Sequence, residues 1–419
     1  MRAMVFILTL IGISHQAFGV GMTIAFEDLP ALVRGKNENV NAAHAFIGAQ
    51  EQRTGRLIRS FLPSVSGQVG AEDFKSSSDT AKQQGYWKLE AGVNVYHGGR
   101  DLLEEEIRKS HLRLAKANYS GEFAKELKEA RQTFWKIVAI SQEIADREEA
   151  LSKHEANIKS SRRRAGAGVS TAADTVQFEL EKAFIKQEIK KLKHEEDILK
   201  SKLTVAVALD DHESLQIKGG FTHPEEGELQ VSSLLPKDQL SIRALIEKER
   251  AERFKGKQSA QWWQPRVDLY SRYGVPALSD QYERAIKRDQ EWAAGVRVVI
   301  DLGQGVEGRA EARAQALEAA GFAKQSAHQI REITALDHEL RHDLKLLHEL
   351  IHDAESDIGK SEEFFRLTQG EYARGVKNGP DLLQAFQKFY EFRKRRRDLY
   401  REYHETKAEL LALVAGEAT

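Results

Sequence analysis

What most constrains this chain is where proline does not occur. After Pro63 the next proline is Pro224, and after Pro276 the next is Pro380. Proline breaks helices by lacking an amide hydrogen and crowding the preceding turn, so its absence leaves two long tracts free to continue as helix. In the first, Leu103, Ile107, Leu114, Phe123, Leu127, Phe134, Ile137, Ile144, Leu151 and Ile158 recur at spacings dominated by 3, 4 and 7. That pattern predicts a helix over about 100–164 with one apolar stripe, roughly 100 Å long at the α-helical rise. In the second, about 305–372, Ile333, Leu336, Leu340, Leu344, Leu347, Ile351, Ala354 and Ile358 trace a coiled-coil seam. A charged fraction of 30% suits such solvated helices better than a compact enzyme rich in turns.

Four other segments have a period of two. Val65, Gly67 and Val69 alternate with Ser64, Ser66 and Gln68; Leu89, Ala91, Val93 and Val95 alternate with Lys88, Glu90 and Asn94. Val267 and Leu269 alternate with Arg266, Asp268 and Tyr270; Ala294, Val296, Val298 and Ile300 alternate with Gly295, Arg297 and Asp301. Each pair brackets a polar loop and predicts a hairpin with one apolar and one polar face. Trp87, Trp292, Tyr96 and Tyr270 lie near strand ends, where aromatic residues form either a membrane girdle or ordinary packing.

The chain reads as an internal duplication. Pro63 corresponds to Pro265, Trp87 to Trp292 and Gly92 to Gly295; later, Gly168, Asp174 and Gln177 correspond to Gly375, Asp381 and Gln384. The first repeat is expected over 20–209, with its hairpin at about 61–97 and a turn at about 165–170. The second is expected over 238–419, with its hairpin at about 264–302 and a turn at about 373–380. A connector rich in Gly, Pro and acids spans 210–237. In each repeat a shorter helix (27–60, 238–262) precedes the hairpin, and another (170–209, 378–415) follows the turn. Two short helices end to end then match one long helix in length.

Arg2, the apolar run VFILTLIGI and Ala17-Phe18-Gly19 read as a secretory signal peptide over 1–19. No segment approaches the length of a membrane-spanning helix, so membrane insertion would require strands. Four strands are too few to close a barrel, whereas three copies would pool twelve. The alternative is a soluble sheet. Cysteine is absent, which excludes disulfides and thiolate metal sites, and the net charge of -1 argues against nucleic-acid binding driven by bulk charge. The run Arg393-Lys394-Arg395-Arg396-Arg397 therefore reads as a solvated helix face. Arg162-Arg163-Arg164 near the first turn is either such a face or a contact for another protein.

One stretch suggests chemistry. HELRHDLKLLHELIH contains H-E-x-x-H twice, at His338-Glu339-His342 and His348-Glu349-His352. On a helix such a pair can share a zinc ion, with the glutamate as general base. On a straight helix, however, His348 is rotated by about 240° and raised by roughly 9 Å from His342, out of reach of the same ion. All four histidines also lie off the seam. The stretch is expected to be a polar helix face, and no catalytic, cofactor or metal residue is assigned; a zinc hydrolase using 338–342 ranks last.

Val95-Tyr96-His97-Gly98-Gly99-Arg100 resembles the aromatic-x-Gly-Gly-Arg opening of the long helix in TolC-like outer-membrane efflux proteins. Gly168-Val169-Ser170-Thr171-Ala172-Ala173-Asp174 and Tyr372 to Leu383 resemble that family's two inter-helix turns, and the likeness covers nearly the whole mature chain. It departs at Asp301-Leu302-Gly303-Gln304-Gly305, which lacks a clean Gly-Gly pair. The resemblance implies a mainly α fold with a small β part. Long antiparallel coiled-coil helices form an α-barrel, and four strands per protomer join a trimeric 12-stranded transmembrane β-barrel. It implies an outer-membrane channel-tunnel with a periplasmic extension, not an enzyme, working with a periplasmic adaptor protein and an inner-membrane pump in efflux or type I secretion. Asp381 matches an acidic position that rings the constriction; the acidic position three residues on is Gln384. Asp174 and Lys377 match an ionic link that holds the tips closed, with Gly168 and Gly375 in the turns. Tyr372 matches a hydrogen-bonding partner whose hydroxyl acceptor is here Ala173. Both aspartates also fit simple N-terminal helix caps. The alternative from the residues alone is a soluble periplasmic coiled-coil scaffold or adaptor.

Overall fold

The computed structural model describes residues 23–75, 82–167, 171–209, 215–224, 235–277, 290–300 and 305–415. The expected signal peptide, most of the 210–237 connector, Gly168 and the Asp301–Gln304 departure lie outside them. The described chain is mainly helical with a small sheet part, as the two periodicities predict. Its elements run β1 (Thr23–Ala25), α1 (Leu29–Lys36), α2 (Glu38–Arg53), β2 (Ser64–Phe74), β3 (Lys82–His97), α3 (Arg100–Gly166), α4 (Ala172–Ala206), β4 (Gln216–Lys218), α5 (Leu240–Ala260), β5 (Arg266–Val275), β6 (Glu291–Val299), α6 (Gly305–Arg374) and α7 (Gly379–Leu413). No helix among the described residues is long and apolar enough to cross a membrane.

The helix expected over 27–60 is broken at Asn37, whose ψ of 127° leaves the helical region. The reason is a buried network: Asn37 Nδ2 donates to Glu126 Oε2 at 2.9 Å and to the Ala206 carbonyl at 2.7 Å. A short polar side chain that satisfies a helix-end carbonyl is worth more there than one more turn of helix.

Two compact units divide the chain. The first comprises residues 1–38, 125–231 and 339–412. In it α4 runs antiparallel to α3, pairing Glu179 with Arg162 at 2.5 Å, Lys182 with Glu155 at 2.8 Å and Lys193 with Glu148 at 2.9 Å. Along the same unit α7 lies antiparallel to both long helices. Arg393 and Arg397 hold Asp146 at 2.6 and 2.8 Å, Arg397 also holds Glu143 at 2.9 Å, and Tyr400 donates to Glu355 of α6 at 2.5 Å. The predicted solvated basic face is thus half wrong: Arg397 is 5% exposed, and only Lys394 and Arg395 point fully to water. The α6 seam is buried here, from Leu340 through Leu344, Leu347 and Ile351 to Ala354. The parallel pair β1–β4 adds Phe26 and Phe221, which sandwich Trp135 with His404; the Trp135 and His404 rings stack at 3.8 Å.

The second unit comprises residues 39–124, 232–338 and 413–419. Here α3 has α2 on one side, through Tyr119 and His44 at 5.7 Å, and α5 on the other, through Arg113 and Glu247 at 2.8 Å. α5 in turn meets α6 through Ser259 and Gln315 at 3.1 Å. Each unit therefore repeats one order of short, long, short and long helix.

The second unit also holds an antiparallel sheet of order β2–β3–β5–β6. Its register places Val69, Trp87 and Val275 on one row, Gly67, Leu89, Tyr273 and Trp292 on the next but one, and Val93, Leu269 and Val296 further along. Alternation thus builds one apolar face across all four strands. The opposite face carries Gln68, Lys88, Glu90, Asp268, Arg272 and Arg297; Arg297 reaches Glu90 at 3.0 Å and covers the Tyr270 ring. On that face Tyr86 lies over Gly70 and Tyr270 over Gly295, where an added Cβ would stand 2.5 and 3.3 Å from ring atoms. A bulge between Asn94 and Tyr96 corrects the expected alternation: Tyr96, not Val95, lies opposite Val267 on the apolar face. Tyr270 is likewise not at a strand end in the girdle sense but mid-sheet on the polar face.

The arginine ladder gives a direct test. Arg397→Ala is expected to destabilise the protein by about 3 kcal/mol, because it strips a partner from two largely buried carboxylates. Lys394→Ala and Arg395→Ala should change stability by less than about 0.5 kcal/mol. Denaturant unfolding of the three variants compares them.

Candidate functional site

The residues singled out by resemblance gather where α3 turns into α4 and α6 into α7, in the first unit. α6 ends in a Schellman turn. Gly375, with a φ of 84°, donates to the Tyr372 carbonyl at 3.1 Å, and Val376 donates to the Glu371 carbonyl at 3.0 Å. Lys377 follows on the exposed side of this turn.

Each following helix opens with a capping box, and the two aspartates are its third residue. Asp174 Oδ2 accepts the Thr171 N–H at 3.2 Å, while Thr171 Oγ1 accepts the Asp174 N–H at 3.3 Å. Asp381 Oδ2 accepts the Asn378 N–H at 3.3 Å, while Asn378 Oδ1 accepts the Asp381 N–H at 2.9 Å. Both carboxylates stand at the positive end of a helix dipole, which favours their charge. The cap reading of both positions holds.

The two turns meet through small atoms. Gly379 at the start of α7 lies against Asp174, so that an added Cβ would approach the Asp174 Cβ to 3.0 Å. Asp381 is partly exposed and Gln384, nearly one turn on, is exposed. Tyr372 faces the other way: it is 2% exposed, packed against Phe178, and its Oη has no partner among the described residues. The site thus divides into an outward polar set, Lys377, Asp381 and Gln384, and an inward anchor, Tyr372.

Sequence reasoning missed the side chain that clamps this anchor. Arg164, from the end of α3, donates to the Tyr372 carbonyl and lies 4.3 Å above its ring. That carbonyl already accepts the Gly375 N–H, so Arg164 adds a second donor to the end of α6 from a different helix. The basic triplet at 162–164 was the available signal, and its neighbours diverge: Arg162 pairs with Glu179 instead. Above the anchor the four helices share a core with Ile158, Phe178, Ile185, Phe365, Leu382 and Phe386.

The histidine stretch lies along the outside of α6. His338, Glu339, His342, Glu349 and His352 are exposed on α6, and His348 alone turns to a neighbour, its ring 5.8 Å from that of His223. Among the described residues no group of three or more His, Asp or Glu side chains is placed to hold a metal ion.

Removing both caps tests the turn geometry. Thr171→Ala with Asn378→Ala should cost about 1 kcal/mol at each helix start, and so speed amide hydrogen exchange in the first turns of α4 and α7 about fivefold. Exchange in the α6 seam should not change.

No family profile matches this chain, and no curated protein matches it in sequence. Solved structures do match its fold. The outer membrane protein VceC from Vibrio cholerae superposes at a TM-score of 0.77 with 14% identity, over 94% of this chain and 97% of that one. The CmeC outer membrane channel of Campylobacter jejuni gives 0.80 with 12% identity, over 94% and 87%. The open state of the MtrE outer membrane channel of Neisseria gonorrhoeae gives 0.71 with 13% identity, over 94% and 89%. At such low identity it is architecture that is shared, and the chain has the fold of the TolC-like outer-membrane channels that its sequence resembles.

Proposed function

We propose that this chain is the exit duct of an efflux or type I secretion system, a homotrimer in the outer membrane with a periplasmic extension. The observation that carries the reading is the sheet. Its edge strands β2 and β6 each pair on one side only, and its apolar face leaves Val65, Val69, Trp292 and Val296 more than 60% exposed. Unpaired edges are not tolerated in lipid. Three copies joined edge to edge give twelve strands, enough to close, with the apolar face toward lipid and the polar face around water. Trp87, Tyr273 and Trp292 then sit at one rim of the apolar band and Tyr96 at the other, the arrangement of an aromatic girdle.

The helices support the same closure. In the first unit the outer members of the order α4–α3–α7–α6 carry exposed apolar residues: Val176, Leu180 and Phe184 on α4, Phe364 and Leu367 on α6. Two different patches, one on α4 and one on α6, fit a heterologous ring, in which α4 of one protomer meets α6 of the next.

At the tips, three copies of Asp381 surround the axis and favour cations over anions, with Gln384 weakening that preference relative to an acidic residue. Asp174 and Lys377 form the link that keeps the tips together, and Tyr372 anchors α6 behind them. A periplasmic adaptor and an inner-membrane pump complete the path from the inner membrane.

Fractionation and electrical recording test this. The protein is expected in the outer membrane as a trimer whose migration changes on heating, and the purified trimer should conduct ions across planar bilayers. A soluble monomer overturns the reading. Asp174→Ala combined with Lys377→Ala should raise single-channel conductance several-fold; conductance equal to wild type removes the gate from the proposal.

A further inference from the structure

Just above the tips, buried polar groups accumulate that the packed helices leave without partners. His154 on α3 is fully buried, and neither ring nitrogen has a hydrogen-bond partner among the described residues. Its surroundings are aromatic: Phe386 stands edge-on at 4.2 Å and Phe178 at 6.1 Å. Asn157, about one turn on, is 6% exposed with Nδ2 unpaired. Tyr372 from α6 and Tyr390 from α7 are buried with hydroxyls unpaired among the described residues, and Arg164 Nε, likewise unpaired, lies by Tyr372.

An N–H or O–H shut away from water without an acceptor opposes the packing that encloses it. One such group in a core is unremarkable; several on the three helices α3, α6 and α7, all within the bundle that ends at the tips, act on one equilibrium. We propose that the packed tip is a strained state, opposed chiefly by His154, and that hydration of these groups as α6 and α7 part from α3 and α4 favours opening. The inference rests on the reading of the tips as the channel's gate.

Acid should make the opposition visible. In the packed core burial lowers the His154 pKa from 6.5 to about 4. A ring hydrated in an opened tip regains the ordinary value and takes up a proton that the packed ring refuses. The packed state is therefore favoured above pH 6.5 and loses ground as pH falls toward 4, by on the order of 100-fold per protomer between neutral pH and pH 4. Ionisable neighbours lie on each of the surrounding helices. Lys153 and Glu155 flank His154 on α3 and pair with Glu149 and Lys182. On α4 Glu181 and Lys182 lie about one turn from Phe178, and on α7 Tyr390 and Arg393 follow Phe386 with Arg393 held by Asp146 and Glu149; on α6 Glu362, Glu363 and Arg366 flank Phe365 on the exposed side, and Glu371 and Arg374 stand on either side of Tyr372.

Single-channel recording of the trimer between pH 7.5 and 4.5 decides the matter. Wild-type channels should open progressively more often below pH 6.5. His154→Leu should be flat through that window and, at pH 7.5, open about tenfold less often, the effect of relieving one buried unpaired group. Tyr390→Phe should lower opening at every pH while keeping the acid response. A His154→Leu trimer that retains the wild-type opening and acid response overturns the proposal. Should that variant not assemble, Tyr372→Phe and Tyr390→Phe carry the test, and opening equal to or above wild type in both overturns it. If wild-type trimers form no pore at any pH, it is the channel reading that fails.

Discussion

A helix of 67 residues with an apolar stripe along its length cannot leave that stripe in water, and no short helix can cover it alone. α3 meets this constraint with different partners in its two halves: α2 and α5 in one unit, α4 and α7 in the other. The partners are held at intervals by charged pairs and not by a continuous wide core, which is why a chain with 30% charged residues still packs. Where the pairs are exposed they contribute little. Where they are buried, as at Arg397 with Asp146 and Glu143, they fix the register of α7 against α3. Burial pushes the Asp146 carboxyl above its usual range, and Arg393 and Arg397 draw it back.

Much of this was legible because helices and strands have different periods. The α6 seam read from Leu340 to Ala354 is the buried face, and the strand alternation at 64–69 and 87–93 gives the two faces of the sheet. Local exceptions were not legible. The bulge at Asn94–Tyr96 depends on pairing with β5, and the break at Asn37 depends on Glu126 and the end of α4, neither of which is near in sequence. The basic run at 393–397 misled because charge alone does not say which side of a helix faces a carboxylate.

The tip shows the same division. Thr171-x-x-Asp174 and Asn378-x-x-Asp381 are capping boxes that a sequence displays openly, and they account for both aspartates without reference to a channel. Arg164 could not be ranked above Arg162 or Arg163 until α6 was seen to end beneath it. His154 did carry a signal: it falls between Leu151 and Ile158 at spacings of three and four, on the stripe itself, where a histidine is bound to be enclosed. The double H-E-x-x-H shows the converse, a spacing that fits zinc on a helix whose exposed face meets no third ligand among the described residues.

On the polar face of the sheet, Tyr86 and Tyr270 lie flat on Gly70 and Gly295. The ring occupies the space of the missing side chain, and the glycine has no side chain because the ring is there. Neither member of a pair can be replaced alone: a larger residue displaces the ring, and loss of the ring bares backbone in mid-strand. Each pair is thus a unit of inheritance, and across diverging copies of this sheet the glycine and the tyrosine are expected to be kept or lost together, two linked columns in each hairpin.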